Sequence, residues 1–142
     1  MESQRLLSPG ILFLCVANSA RSQLAEGLAR TRFGPRVRVA SAGSVPTRVN
    51  PLTIAVLEEI GIDSSEQYAK SIDTIDPASV DIVVTLCAEE VCPAFLGNVR
   101  RLHWPLSDPA VPAGSVAGQL DQFRAVRDAI EKRLSELETF TA

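Results

Sequence analysis

The chain alternates short apolar runs with longer stretches in which apolar residues return every three or four positions. The first run, Ile11-Leu12-Phe13-Leu14, is unbroken, as in a central strand covered on both faces. It ends at Cys15. From Gln23 to about Arg32, the positions of Leu24, Ala25, Leu28 and Ala29 mark the apolar side of a helix that Gly34-Pro35 stops. Residues 36–40 alternate and predict a strand with one polar face or an edge position, with Gly43 and Pro46 marking the turn after it. Asn50-Pro51 then starts a second helix whose apolar positions Leu52, Ala55, Val56 and Ile60 run to Gly61. Residues 63–76 are polar and aperiodic, a loop with room for one helical turn.

Asp81 to Leu86 predicts another buried strand, which delivers Cys87 at its carboxyl end, and Val99 to Trp104 a last one. A turn-rich stretch from Pro105 to Gly114 follows. From Ser115 onward Val116, Leu120, Phe123, Val126, Ile130, Leu134 and Leu137 mark a long terminal helix. Strands separated by helices predict an α/β fold: a four-stranded parallel sheet with right-handed crossovers and helices on both faces. In such sheets ligands bind beyond the carboxyl ends of the strands. That rim collects Cys15, Cys87 and Asp108.

Composition narrows the function. At 142 residues the chain is the size of one domain, residues 1–142 with a core at about 9–138. Fourteen basic against 17 acidic residues give a formal charge of −3, so no global field favours nucleic acid or an acidic membrane surface. The run Ile11 to Leu14 is too short for a secretory core or a membrane span, which points to a cytoplasmic protein. Three cysteines are an odd set and argue against a fixed disulfide framework. The apolar side of the terminal helix reads as core rather than interface, so a monomer is expected.

The chemistry lies in Cys15-Val16-Ala17-Asn18-Ser19-Ala20-Arg21-Ser22. Five short or flexible residues between Cys15 and Arg21 can wrap a tetrahedral oxyanion with successive backbone N–H groups and present it to the positive end of the following helix. The same donors favour the thiolate of Cys15. Arg21 offers a bidentate partner for two oxygens, Ser22 is placed to donate to the thiolate, and Asn18 to fix the loop through its amide. No Gly-Lys-Ser/Thr or Gly-x-Gly-x-x-Gly pattern supports a nucleotide loop. A cysteine pair with four residues between its members, and His103 alone elsewhere, makes a poor zinc site, and no metal is expected.

Residues 11–27, ILFLCVANSARSQLAEG, closely resemble the start of arsenate reductases built on the low-molecular-weight protein tyrosine phosphatase fold. The strand Val83 to Leu86 followed by one cysteine, a second cysteine then proline, and His103-Trp104 before Asp108-Pro109 resemble the same group. The resemblance implies that Cys15 is the nucleophile, that Arg21 clamps the oxyanion, that Ser22 steadies the thiolate and that Asp108 is the general acid. It further implies a relay in which Cys87 attacks Cys15 to expel arsenite and Cys92 then attacks Cys87. The resulting disulfide is left for thioredoxin or a similar thiol donor. No bound cofactor is implied; arsenate is the substrate, with phosphate or sulfate as mimics.

Two departures stand out. The intervening segment Ala88 to Val91 is shorter than in many relatives, and a helix there would hold the alpha carbons about 8 to 9 Å apart, beyond the roughly 7 Å limit for a disulfide. Closure therefore requires a loop, and Glu89, Glu90 and Val91 contain no helix breaker before Pro93. Some of these reductases hold a monovalent cation with an asparagine, a glutamate, a serine and an aspartate. Asn18, Glu26 and Ser41 match the first three, whereas Lys70 falls near the aspartate, where its ammonium can replace the ion. The alternatives are a phosphatase hydrolysing phosphomonoesters through a cysteinyl-phosphate, and a non-catalytic oxyanion-binding module. Phosphotyrosine phosphatases generally carry an aromatic pair after the acid, whereas this chain reads Asp108-Pro109-Ala110-Val111.

Overall fold

The computed structural model describes residues 9–88, 92–95 and 97–138. Four strands, β1 (Gly10–Cys15), β2 (Arg38–Gly43), β3 (Ile82–Thr85) and β4 (Arg100–His103), form one parallel sheet in the order β2-β1-β3-β4. Among the described residues three α-helices flank it: α1 (Arg21–Phe33), α2 (Pro51–Glu58) and α3 (Val116–Arg133), the last continued by a 3₁₀ turn at Leu134–Leu137. β1 is central and wholly buried, as its unbroken apolar run requires.

Each face of the sheet has its own core. On one face Ile11, Phe13, Ile82, Val84 and Leu86 meet Leu24 and Leu28 of α1, Val56 and Leu57 of α2, and Phe123 and Ile130 of α3. Phe13 packs on Trp104 with ring centroids 6.4 Å apart. The opposite face, carrying Leu12, Leu14 and Val83, is covered by Val80, Phe95, Ile72 and Ile75. Among the described residues, helical cover on that side consists of single 3₁₀ turns, Ile72–Thr74 and Pro77–Ser79, rather than α-helix. The first lies within the stretch expected to hold one helical turn.

Several boundaries move for physical reasons. α1 begins at Arg21 rather than Gln23, because the polar side chains of Arg21 and Ser22 face a buried site and give no apolar period to read. The second strand runs over Arg38–Gly43, not 36–40: Gly34–Arg36 makes a 3₁₀ turn, and pairing of Phe13 with Ser41, Leu14 with Ala42 and Cys15 with Gly43 extends the strand. Its edge position agrees with its alternation. α2 starts at Pro51, with Asn50 Oδ1 accepting from the Leu52 N–H at 2.8 Å, but stops at Glu58; Ile60 is exposed and Ile62 is buried in its place. Ser115 caps α3 through the Gly118 N–H at 3.0 Å, and Val116, expected on the apolar stripe, lies exposed. No helix among the described residues is long and apolar enough to cross a membrane.

Candidate active site

The loop after β1 lies where the connections diverge to β2 on one side and β3 on the other, the usual ligand position of an open parallel sheet. Its carbonyls are tied outward. Val45 N–H donates to Val16 O at 2.9 Å, Thr47 N–H to Ala17 O at 3.1 Å and Asn50 N–H to Ser19 O at 3.0 Å, while Thr53 Oγ1 also donates to Ser19 O at 3.0 Å. With carbonyls drawn toward residues 45–53, the loop's N–H groups are left for the inner side. Gly43 permits this approach: a β-carbon there would sit 2.3 Å from Val16 O. α1 opens at Ala20 without a side-chain cap, so its first-turn donors are also available to an anion.

Asn18 is the hub of the loop. It has φ 49°, in the left-handed region that asparagine tolerates, and is fully buried. Its Nδ2 donates to Ser22 Oγ at 2.8 Å and to Ser41 Oγ at 3.0 Å, while Oδ1 accepts from Gln23 Nε2 at 3.0 Å and from the Lys70 N–H at 2.9 Å. Ser22 Oγ lies 2.8 Å from Cys15 Sγ. Because Asn18 donates to Ser22, the hydroxyl proton is directed at sulfur, and a thiolate can only accept it. Ser41 in turn donates to Glu26 Oε1 at 2.6 Å.

Glu26 is buried yet paired, with Arg30 at 3.0 Å and the Lys70 ammonium at 3.7 Å. Lys70 Nζ also donates to Tyr68 O at 3.0 Å and lies 4.4 Å from the Tyr68 ring centroid. Burial draws the Lys70 ammonium below the ordinary lysine range, and Glu26 opposes that shift. Thus Asn18, Glu26, Ser41 and Lys70 do converge behind the anion loop.

Cys15, Ala17, Ser19, Ala20 and Arg21 share a cavity of about 120 Å³ with Thr47, Asp108 and Ala110. Val16, Asn18 and Ser22 complete the loop without lining it. The cavity is smaller than the roughly 300–1,000 Å³ of sites for drug-sized ligands, and among the described residues no aromatic side chain lines it. It suits a small inorganic oxyanion. The buried guanidinium of Arg21 is anchored by donation to Leu106 O at 3.0 Å, two residues before Asp108. Asp108 Oδ1 accepts from the Ala110 N–H at 2.9 Å.

Cys87 follows β3, the strand beside β1, and is buried; the ladder continues past β3 through donation from Leu86 N–H to Leu14 O at 3.0 Å. Cys87 and Cys92 form a disulfide with alpha carbons 5.5 Å apart. That separation is incompatible with a continuous helix, and neither cysteine is helical, so the short spacing does close. Glu89, Glu90 and Val91 lie outside the described residues. His103 is exposed and bonds through Nδ1 to Thr85 Oγ1 at 2.7 Å, whereas Trp104 is buried in the core.

Sequence reasoning missed Gln23, Gln67 and Thr47. Gln23 Nε2 holds both Asn18 O at 3.1 Å and Tyr68 O at 3.0 Å, and Gln67 Nε2 donates to Gln23 Oε1 at 2.8 Å. A buried glutamine at a helix start gives no signal distinct from a solvated one, and Thr47 reaches the cavity only through the hairpin-like return of residues 45–50.

A cysteine-arginine loop opening a helix at the end of a central parallel strand, opposed by an aspartate, defines an enzyme class that attacks oxyanions with a thiolate. The chain belongs to the low molecular weight phosphotyrosine protein phosphatase family, which residues 10–141 match. Within that family its kinship is with arsenate reductases. It is 45% identical over 126 residues to the arsenate reductase of Halalkalibacterium halodurans, covering 87% of this chain and 91% of that one. A solved arsenate reductase in a phosphate-binding state superposes with TM-score 0.77 at 33% identity, covering 94% of this chain and 99% of the other. A thioredoxin-dependent arsenate reductase of Corynebacterium glutamicum gives TM-score 0.68 at 25% identity, with 97% and 69% covered.

Proposed function

We propose that the protein reduces arsenate to arsenite, with Cys15 as nucleophile and Cys87 and Cys92 as the pair that carries the oxidation away. The observation that carries this reading is the Cys87–Cys92 disulfide at the end of the strand beside the anion loop. Hydrolysis of a phosphomonoester has no use for such a pair.

Arsenate is held by the loop N–H groups and Arg21. The Cys15 thiolate, steadied by Ser22, attacks arsenic while Asp108 protonates the departing oxygen, which leaves as water. Arsenic is still pentavalent. The Cys87 thiolate then attacks Cys15 Sγ; the sulfur–arsenic bonding pair stays on arsenic, and arsenite departs. Cys92 attacks Cys87 Sγ, which restores the Cys15 thiolate and leaves the disulfide. Two thiols have lost the two electrons that arsenic gained. An external dithiol protein of the thioredoxin type restores the pair, a donor supported by the likeness to the thioredoxin-dependent Corynebacterium enzyme. Lys70 supplies the positive charge beside Glu26 in place of a monovalent cation.

The test is arsenate-dependent oxidation of reduced thioredoxin by the parent and by Cys15→Ser, Cys87→Ser and Cys92→Ser. Cys15→Ser and Cys87→Ser are expected to give no turnover, and Cys92→Ser one arsenite per chain with a trapped Cys15–Cys87 disulfide. Multiple turnover by either Cys87→Ser or Cys92→Ser refutes the relay. Aryl-phosphate hydrolysis unaffected by those two changes, with no arsenate reduction by the parent, identifies a phosphatase instead.

A further inference from the structure

The Asp108 loop is gripped from behind by α3. Gln119 Nε2 donates to Pro109 O at 2.9 Å and to Val111 O at 3.1 Å, and Gln122 Nε2 donates to the same two oxygens at 2.9 and 3.0 Å. Neither glutamine lines the anion cavity. Each carbonyl has two lone pairs and each amide nitrogen two hydrogens, so the four bonds saturate both sides of the arrangement. A groove of about 290 Å³ between Asp108, Val111 and Val126 leaves the loop without close packing there. Pro109 itself is buried, and beside it these polar bonds hold the carbonyls of the turn. Asp108 is tied by Oδ1 to Ala110 N–H within the turn so held.

We propose that Gln119 and Gln122 are positioning residues for the reaction: by clamping the Pro109 and Val111 carbonyls they hold the Asp108 carboxyl over the Cys15 cradle at the place where the departing oxygen is protonated. This rests on the reading of Asp108 as general acid. The clamp is redundant by construction. Either glutamine alone still reaches both carbonyls, so a single loss leaves the loop held, whereas loss of both leaves those oxygens to water and frees the turn.

Methionine is near glutamine in size and has no donor, so Gln119→Met, Gln122→Met and the double variant test the bonds with little change in packing. In arsenate turnover, each single variant is expected to lose no more than about threefold in kcat. The double variant should lose about 10- to 100-fold, the scale on which small misplacements of a reacting group act. KM for arsenate should stay within about twofold, since the cradle from Cys15 to Arg21 is untouched. In an Asp108→Asn background the double change should alter kcat by less than about twofold, because the acid it positions is already gone.

Equal losses in both backgrounds would make the glutamines merely structural and overturn the proposal, as would an unchanged kcat in the double variant or a loss confined to KM. Thermal unfolding and phosphate titration of each variant report whether the fold and cradle survive. If the methionine double variant does not fold, the Gln119→Leu, Gln122→Leu double variant, which likewise removes both pairs of donors, is read in the two backgrounds by the same comparison. If the parent does not reduce arsenate, the function above fails; the clamp is then judged by the same cycle on para-nitrophenyl phosphate hydrolysis, which also requires protonation of a leaving oxygen.

Discussion

Asn18 offers the sharpest perturbation, because all four of its side-chain bonds are internal and its backbone sits in the left-handed region. Asn18→Ala leaves the part-buried Lys70 N–H without this acceptor, a loss of about 1–3 kcal/mol. Gln23 Nε2 keeps Asn18 O and Tyr68 O as acceptors, and the serine hydroxyls keep their own donations, so these add little. Alanine also bears about 1–2 kcal/mol for the left-handed backbone that asparagine partly escapes. The expected total is about 3 kcal/mol, or a melting point lower by about 6–12 °C for a chain of this size. Asn18→Asp separates stability from chemistry. Its carboxylate still accepts from Lys70 N–H and Gln23, but it attracts the Ser22 proton that asparagine directs at Cys15. Turnover should fall about 100-fold, the effect of losing one preorganised donor. Thermal unfolding followed by circular dichroism, and arsenate turnover on the same samples, read the two quantities. A parent-like melting point for Asn18→Ala refutes the hub, and a parent-like kcat for Asn18→Asp refutes the direction of the Ser22 hydrogen bond.

Gly43→Ala should disturb the cradle from outside it. Its β-carbon would lie 2.3 Å from Val16 O, so the loop must shift. Phosphate affinity measured by calorimetry is expected to weaken by about tenfold, equivalent to roughly 1.4 kcal/mol; unchanged affinity would show that the loop's carbonyl ties do not matter. At the far end of α2, the Arg124 guanidinium, through its hydrogen bond first and with Arg127 assisting, lowers the Glu59 carboxyl from 4.5 to about 2. A depressed carboxyl stabilises the fold fully above its unfolded value and loses that contribution as pH falls through the folded value. Urea midpoints of the parent should therefore fall from pH 4.5 toward pH 2 more steeply than those of Glu59→Gln; parallel curves would exclude Glu59 from the acid limb.

The central strand and the cysteine loop were legible because both are local. Four apolar residues in a row need cover on two faces wherever they sit, and a thiol followed six residues later by an arginine at a helix start carries its geometry in its spacing. Edges were less legible. β2 reached Gly43 because β1 offered partners that far, and α1 began two residues early because Arg21 and Ser22 turn inward to polar partners. Ile60 and Ile62 exchanged burial because the chain leaves the helix between Glu58 and Gly61, where Gly61 adopts φ 80°.

By itself, the order of residues determined the α/β pattern, the cysteine–arginine loop, and the presence of Cys87 and Cys92 after β3 and of Asp108 after β4. Only the tertiary structure decided how they meet. Asn18 is joined to Lys70 across 52 positions, Arg21 to the carbonyl of Leu106 across 85, and Pro109 to Gln122 across 13. Such bonds leave no periodicity in the chain, because they depend on which loops the sheet order brings to one rim rather than on any local preference of the residues that make them.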